Sequence, residues 1–219
     1  MLMDPFRTCL ALGPLAVYAL LLAVMHLSRR AWVVNGNRDL ITLGVAVSGF
    51  VIVGPIELLM PAEHWVAHRG YAWLVVFVLY VVVLSLIALL GRPRITVYNV
   101  TPSILRPVLA QIAASLDPQA RWAGNSLVLP QMDMELHVEA MSPMQTVSIV
   151  ATHEEQELIG WKRLEIELIN TLRGVERTRN PWGYLFITLA VVFGGIVTAQ
   201  LIVFPAEVAE GFKEMMRIE

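Results

Sequence analysis

Between its third and fourth apolar runs the chain carries one long stretch, residues 92–180, that a lipid bilayer would not accept. Apolar runs at 9–27, 40–60, 71–90 and 182–204 bracket it, each 19 to 23 residues long. At about 1.5 Å per helical residue, such a length matches a hydrocarbon core of about 30 Å. The spacing predicts four spanning helices. Three lie in residues 1–91, a soluble domain follows at 92–180, the fourth helix lies in 181–204, and 205–219 form an amphipathic tail.

The charges divide the same way. Residues 92–179 hold 9 basic and 10 acidic side chains of the chain's 34 charges. So even a mixture has no clustered basic face and excludes a nucleic-acid footprint. Cys9 is the single cysteine, which rules out a disulfide framework or a thiolate metal cluster within one chain. Ser28-Arg29-Arg30 reads as a stop-transfer flank rather than a cleavage site, so the first run is expected to remain as an anchor. Arginines mark the sides. Arg29, Arg30, Arg38, Arg92, Arg94, Arg173, Arg177 and Arg179 flank one side of the expected helices; Arg7, Arg69, Lys213 and Arg217 flank the other. Positive loops favour the cytoplasm, so the domain is expected inside and both termini outside.

Within the soluble stretch the pattern is legible. Residues 95–100 form a β-rich run, and Thr101-Pro102 is a helix start with proline at the first helical position. Ile104, Leu105, Val108, Leu109, Ile112 and Leu116 recur at helical spacing up to Asp117-Pro118. Gly124-Asn125 reads as a hairpin turn. Met134, Leu136, Val138 and Ala140 alternate with Glu135, His137 and Glu139, the mark of a strand with one wet face. Residues 146–151 form another strand. Thr152-x-x-Glu155 is a capping box ahead of a helix carrying Leu158, Trp161, Leu168 and Leu172 and ending at Gly174. The order β-α-β-β-β-β-α predicts an α+β domain with two layers, one sheet with two helices on one face. In the tail, Val208, Phe212 and Met215 at helical spacing suggest a helix along the membrane surface.

No phosphate-binding loop, G-x-S-x-G or H-E-x-x-H occurs, which removes the usual motifs for catalysis. His64 and His68, four residues apart near Glu63, are the best metal candidates. Two histidines without a third ligand do not make a site, and with Trp65 and Tyr71 they read as an interfacial belt. No metal and no cofactor is therefore assigned. Glu57 is the one acidic residue inside an apolar run, and His26 ends the first run; both are candidates for an intramembrane role. Gly44 with Ser48, Gly194 with Thr198, and Gly195 with Ala199 are small-residue pairs that let helices approach closely. His137 between Glu135 and Glu139 is the one acid-base grouping in the domain. His153 reads as a surface residue. Asn99-Val100-Thr101 matches a glycosylation sequon, which a cytoplasmic domain would not expose to that machinery.

Met1-Leu2-Met3-Asp4-Pro5-Phe6-Arg7, Ser28-Arg29-Arg30 and Ser48-Gly49-Phe50-Val51-Ile52-Val53-Gly54-Pro55 carry a resemblance. So do Val97-Tyr98-Asn99-Val100, residues 121–131, and Gly160-Trp161-Lys162-Arg163-Leu164-Glu165. The chain resembles an uncharacterised family of bacterial, planctomycete-type membrane proteins. That resemblance implies a bacterial inner membrane and carries no activity.

Three functions compete on the sequence. The first is a non-enzymatic membrane protein whose cytoplasmic domain binds a protein partner or another copy of itself. The second is a transport component with Glu57 and His26 facing a polar cavity. The third is a membrane-bound enzyme using His137, Glu135 and Glu139.

Overall fold

A computed structural model of the chain describes residues 4–59, 65–141, 144–153, 158–173 and 180–216. Two compact units emerge. One comprises Met1–Ala23, Ile41–Leu89 and Leu185–Glu219; the other comprises Val24–Leu40 and Leu90–Tyr184.

The first unit is helical. It is built from α1 (Pro5–Leu27), α2 (Gly36–Leu59), α3 (Trp65–Leu90), α6 (Trp182–Val203) and α7 (Pro205–Met216), with α1, α2, α6 and the last residue of α3 continuing into the second unit. Among the described residues three helices are long and apolar enough to cross a membrane: Pro5–Leu27, Gly36–Gly54 and Trp182–Val203. In α3 the apolar stretch described is Val75–Leu90. Large apolar side chains point outward along these helices, with Val17, Val24, Val78, Val191 and Ile202 at least half exposed. A surface of that kind is what lipid tails solvate, so helix contacts there rest on close packing rather than on hydrophobic burial. Among the described glycines Gly49 provides the tightest approach, since a Cβ there would fall on the carbonyl oxygen of Leu10. Gly44 lies against Leu84, and the Tyr80 hydroxyl donates to the Gly44 carbonyl.

The second unit is the α+β domain. Its strands are β1 (Trp32–Asn35), β2 (Arg94–Tyr98), β3 (Arg121–Ala123), β4 (Ser126–Leu129), β5 (Met134–Met141) and β6 (Thr146–Ala151). They form one six-stranded sheet in the order β1-β2-β6-β5-β4-β3, antiparallel throughout. The sheet has one strand more than the sequence pattern predicts. The extra strand, β1, comes from the segment between the first two apolar helices and pairs Val33 with Val97 and Val34 with Thr96. Four residues between charged flanks are too short to show period-two alternation.

Two helices, α4 (Pro102–Leu116) and α5 (Leu158–Leu172), complete the domain. One face of the sheet, including Ile95, Val97, Leu127, Leu136, Val138, Val147 and Ile149, shares a buried core with Leu105, Leu109 and Ile112 of α4. Trp161, Leu164, Leu168 and Leu172 of α5 join the same cluster, and Val33 of β1 packs against its margin. Each fully buried Leu or Ile there contributes about 1.5–3 kcal/mol relative to exposure. Asp117 ends α4 as a buried carboxylate that accepts the backbone N–H groups of Gln119 and Gln131 at 2.8 Å each. The Gly124-Asn125 turn closes the β3–β4 hairpin with Gly124 at φ +65°, a backbone conformation that costs glycine nothing.

Candidate functional site

Among the described residues the most concentrated polar structure is buried, inside the α+β unit. It begins at Asn99, which follows β2 in the left-handed region at φ 60°. Asparagine tolerates that conformation better than most residues. The turn carries its side chain onto the end of α1, where Nδ2 donates to the carbonyls of Met25 (2.6 Å), Ser28 (3.1 Å) and Arg30 (3.2 Å). The Met25 carbonyl is among the acceptors that a helix end leaves without intrahelical partners, and Ser28 and Arg30 lie just past that end. Asn99, just after β2, thus helps close the end of α1 from 74 residues beyond Met25 in sequence.

Asn180 performs the second closure. Its Oδ1 accepts the N–H of Trp182 at 3.1 Å, an N-cap for α6 with Pro181 following it. Its Nδ2 donates to the Met144 carbonyl at 2.6 Å and lies 3.0 Å from His26 Nδ1. Its backbone N–H donates to the His26 carbonyl at 3.2 Å. A backbone N–H only donates and a carbonyl only accepts, so these partners fix which end of the amide is nitrogen. His26 Nδ1 is therefore an acceptor, and the proton of the neutral ring sits on Nε2. The Asn99 Oδ1 is buried without a hydrogen-bond partner of regular geometry among the described residues, and the His26 ring interacts with that side chain.

Tyr98 closes the cluster. Its ring meets the His26 imidazole edge-on, centroids 5.6 Å apart, and its hydroxyl donates to Asp39 Oδ2 at 2.9 Å. His26 is 2% exposed, Asn99 2% and Asn180 0%, so bulk water and substrate do not reach the imidazole. The cluster joins the end of α1, the start of α2, the strand β2, the β5–β6 connection and the start of α6. It holds chain segments together, and its Asn99 side chain is committed to three main-chain carbonyls rather than offered to a glycosyl donor.

The sheet's other face carries the domain's acid-base side chains, each with its own partner. His137 Nδ1 is 3.1 Å from the hydroxyl of Ser126, the residue directly opposite it in register. Glu139 pairs with Arg94 at 3.2 Å, and Glu135 pairs with His153 at 3.2 Å. The three side chains of the enzyme reading are thus turned to separate neighbours. Exposed pairs of this kind contribute about 0–1 kcal/mol each. Among the described residues no group of three or more His, Cys, Asp or Glu side chains could hold a metal ion.

The remaining candidates fall in several places. The side chains of Glu57 and His68, and the whole of His64, lie outside the described residues. His26 packs inside the amide cluster. Ser48 donates to the Val45 carbonyl of its own helix at 2.8 Å, and a Cβ on Gly194 or Gly195 would meet nothing within 4 Å. Asn99, Asn180 and Asp39 were not singled out as site residues by sequence. The available signals were an asparagine between a strand and a helix cap, and an Asn-Pro pair ahead of an apolar helix. Neither names its partner. Comparison with known proteins finds no matching family model, no matching curated protein and no matching solved structure.

Proposed function

We propose that this chain is a four-span integral membrane protein that presents its α+β domain, on the cytoplasmic side of a bacterial inner membrane, to a protein partner or a second copy. The observation that carries the reading is the pairing of β1 with β2. β1 lies between α1 and α2, and β2 follows α3. Strands of one sheet share one side of a membrane, so a chain that leaves through α2 must return through α3. That requirement supports α3 as a fourth span in this reading, as does its apolar stretch Val75–Leu90. The arginine-rich flanks read from the sequence favour the cytoplasm for the domain, with both termini outside in this reading.

The display role follows from how the domain is connected. Residues at the ends of α1 and α3 and the starts of α2 and α6 belong to the same compact unit as the sheet, so the chain enters and leaves the domain through four helix ends. On the sheet face away from α4 and α5, Glu135, His137 and Glu139 are partly or fully exposed and separately paired, a surface suited to recognition, while Thr96 and Tyr98 on the same face are buried. Crosslinking in native membranes through the exposed Lys162, followed by mass spectrometry, tests the role. A reproducible partner or a self-crosslink is expected; monomer alone would overturn it. Cysteine placed at Lys162 tests the side: it should resist an impermeant maleimide in intact spheroplasts and react after lysis.

A further inference from the structure

The helix α7 leaves α6 through Phe204-Pro205 and reaches back to the start of α1. Phe6 and Phe212 meet edge-to-face with centroids 6.3 Å apart, and a Cβ on Gly211 would clash with Phe6. The level of that contact fixes the direction of α7. Helices α1 and α6 run antiparallel, since Gly183 lies against Leu27 while the Cys9 thiol lies 3.8 Å from the Val197 carbonyl. Phe6 precedes Cys9 by three residues, so it lies about 4.5 Å farther along α1 at about 1.5 Å per residue. Phe212 follows Val197 by fifteen, and a straight helix would carry it about 22 Å past that level. The two rings touch only because α7 turns aside at Pro205 and crosses the end of α1.

A helix crossing the end of an apolar helix lies along the plane of the bilayer surface, and the faces of α7 suit that setting. Val208 and Phe212 lie four residues apart on one side of α7, and Phe204 stands just before its first residue; Phe204 is 40% and Phe212 47% exposed. Glu207, Glu210 and Lys213 are exposed, and the two glutamates lie well away from that stripe. Ile202 and Val203, at the end of α6 just before Phe204, are also exposed apolar residues.

The geometry points to α7 as an interfacial helix whose Phe204 and Phe212 edge is occupied by lipid at headgroup depth. This rests on α6 as a membrane span. The test replaces Cys9, the single cysteine, by alanine, then introduces Val191→Cys, Glu210→Cys or Phe212→Cys for spin labelling in phosphatidylethanolamine–phosphatidylglycerol liposomes. Oxygen marks lipid exposure, and a water-soluble nickel chelate marks water. The label at 212 should be several-fold more shielded from nickel than that at 210, at shallower depth than 191. Equal nickel access at 210 and 212, with 191 in lipid, would overturn the inference while sparing the span. A label at 212 shielded from both reagents would assign the edge to protein and overturn it as well. Nickel access at 191 would instead strike at the span itself.

Discussion

The side-chain amide of Asn180 lies 3.0 Å from Nδ1 of His26 and joins the start of α6 to the end of α1 inside the α+β unit. The same side chain serves Met144 and Trp182. Asn180→Ala would leave several buried polar groups without partners, each costing about 1–3 kcal/mol. The expected loss is roughly 3 kcal/mol in chemical unfolding of the purified protein. His26→Phe removes one of these contacts and should cost less. The double variant should lose less than the sum of the two, by about 0.5–3 kcal/mol, as contacting residues do. Strict additivity would show that the pair does not interact.

Asn99 combines a backbone demand with a side-chain one, and substitutions separate them. Asn99→Gly keeps the φ of 60° at no steric cost but loses the three donations to the end of α1. Asn99→Ala loses the same donations and adds left-handed strain of about 1–2 kcal/mol. The expected order of stability is Asn99, then glycine, then alanine, read from unfolding midpoints. Alanine at or above glycine would mean the turn has relaxed out of the left-handed region.

Why this cluster escaped the sequence reading is a matter of range. The elements with local periodicity were legible: the alternation over β5 places Leu136 and Val138 in the core, and the spacing of Leu105, Leu109 and Ile112 gives the buried face of α4. Thr101-Pro102 marks the start of α4 correctly, although the Thr101 hydroxyl pairs with Ser103 at 2.9 Å rather than with the helix backbone. The capping box expected at Thr152 and Glu155 runs into residues outside those described. Asn99, Asn180 and His26 carry no local pattern, because each is specified by partners brought near only by the tertiary fold. A sequon is the local feature that Asn99 displays, and it points to the wrong chemistry for a side chain that is buried.

The strand β1 was illegible for a related reason, and its two valines test it. Val33 packs against the core, while Val34 is directly opposite Thr96 on the other face. Threonine keeps strand propensity and shape, so a change at either site mainly introduces a hydroxyl. Val33→Thr should destabilise the domain by about 1–2 kcal/mol, and Val34→Thr should stay within about 0.5 kcal/mol. A loop in place of β1 would make both substitutions neutral in unfolding experiments.

Glycines in the apolar helices separate close packing from empty surface. At Gly49 a methyl group would meet the backbone of Leu10, whereas at Gly194 it would meet nothing within 4 Å. Backbone cannot rotate away as a side chain can, so Gly49→Ala must push α2 from α1 or bend one of them. Overpacking of that kind costs about 1–3 kcal/mol, partly offset by the gain of about 0.8–1 kcal/mol that alanine brings to a helix interior in water. Gly194→Ala keeps the propensity gain without the clash. Thermal unfolding in one detergent should therefore lower the midpoint for Gly49→Ala and leave it unchanged or raised for Gly194→Ala. A fall at Gly194 together with a loss of self-crosslinking would show that its face meets a second copy rather than lipid, and would favour self-association as the domain's mode of display. Unchanged crosslinking would keep that face in lipid and leave recognition to the α+β domain.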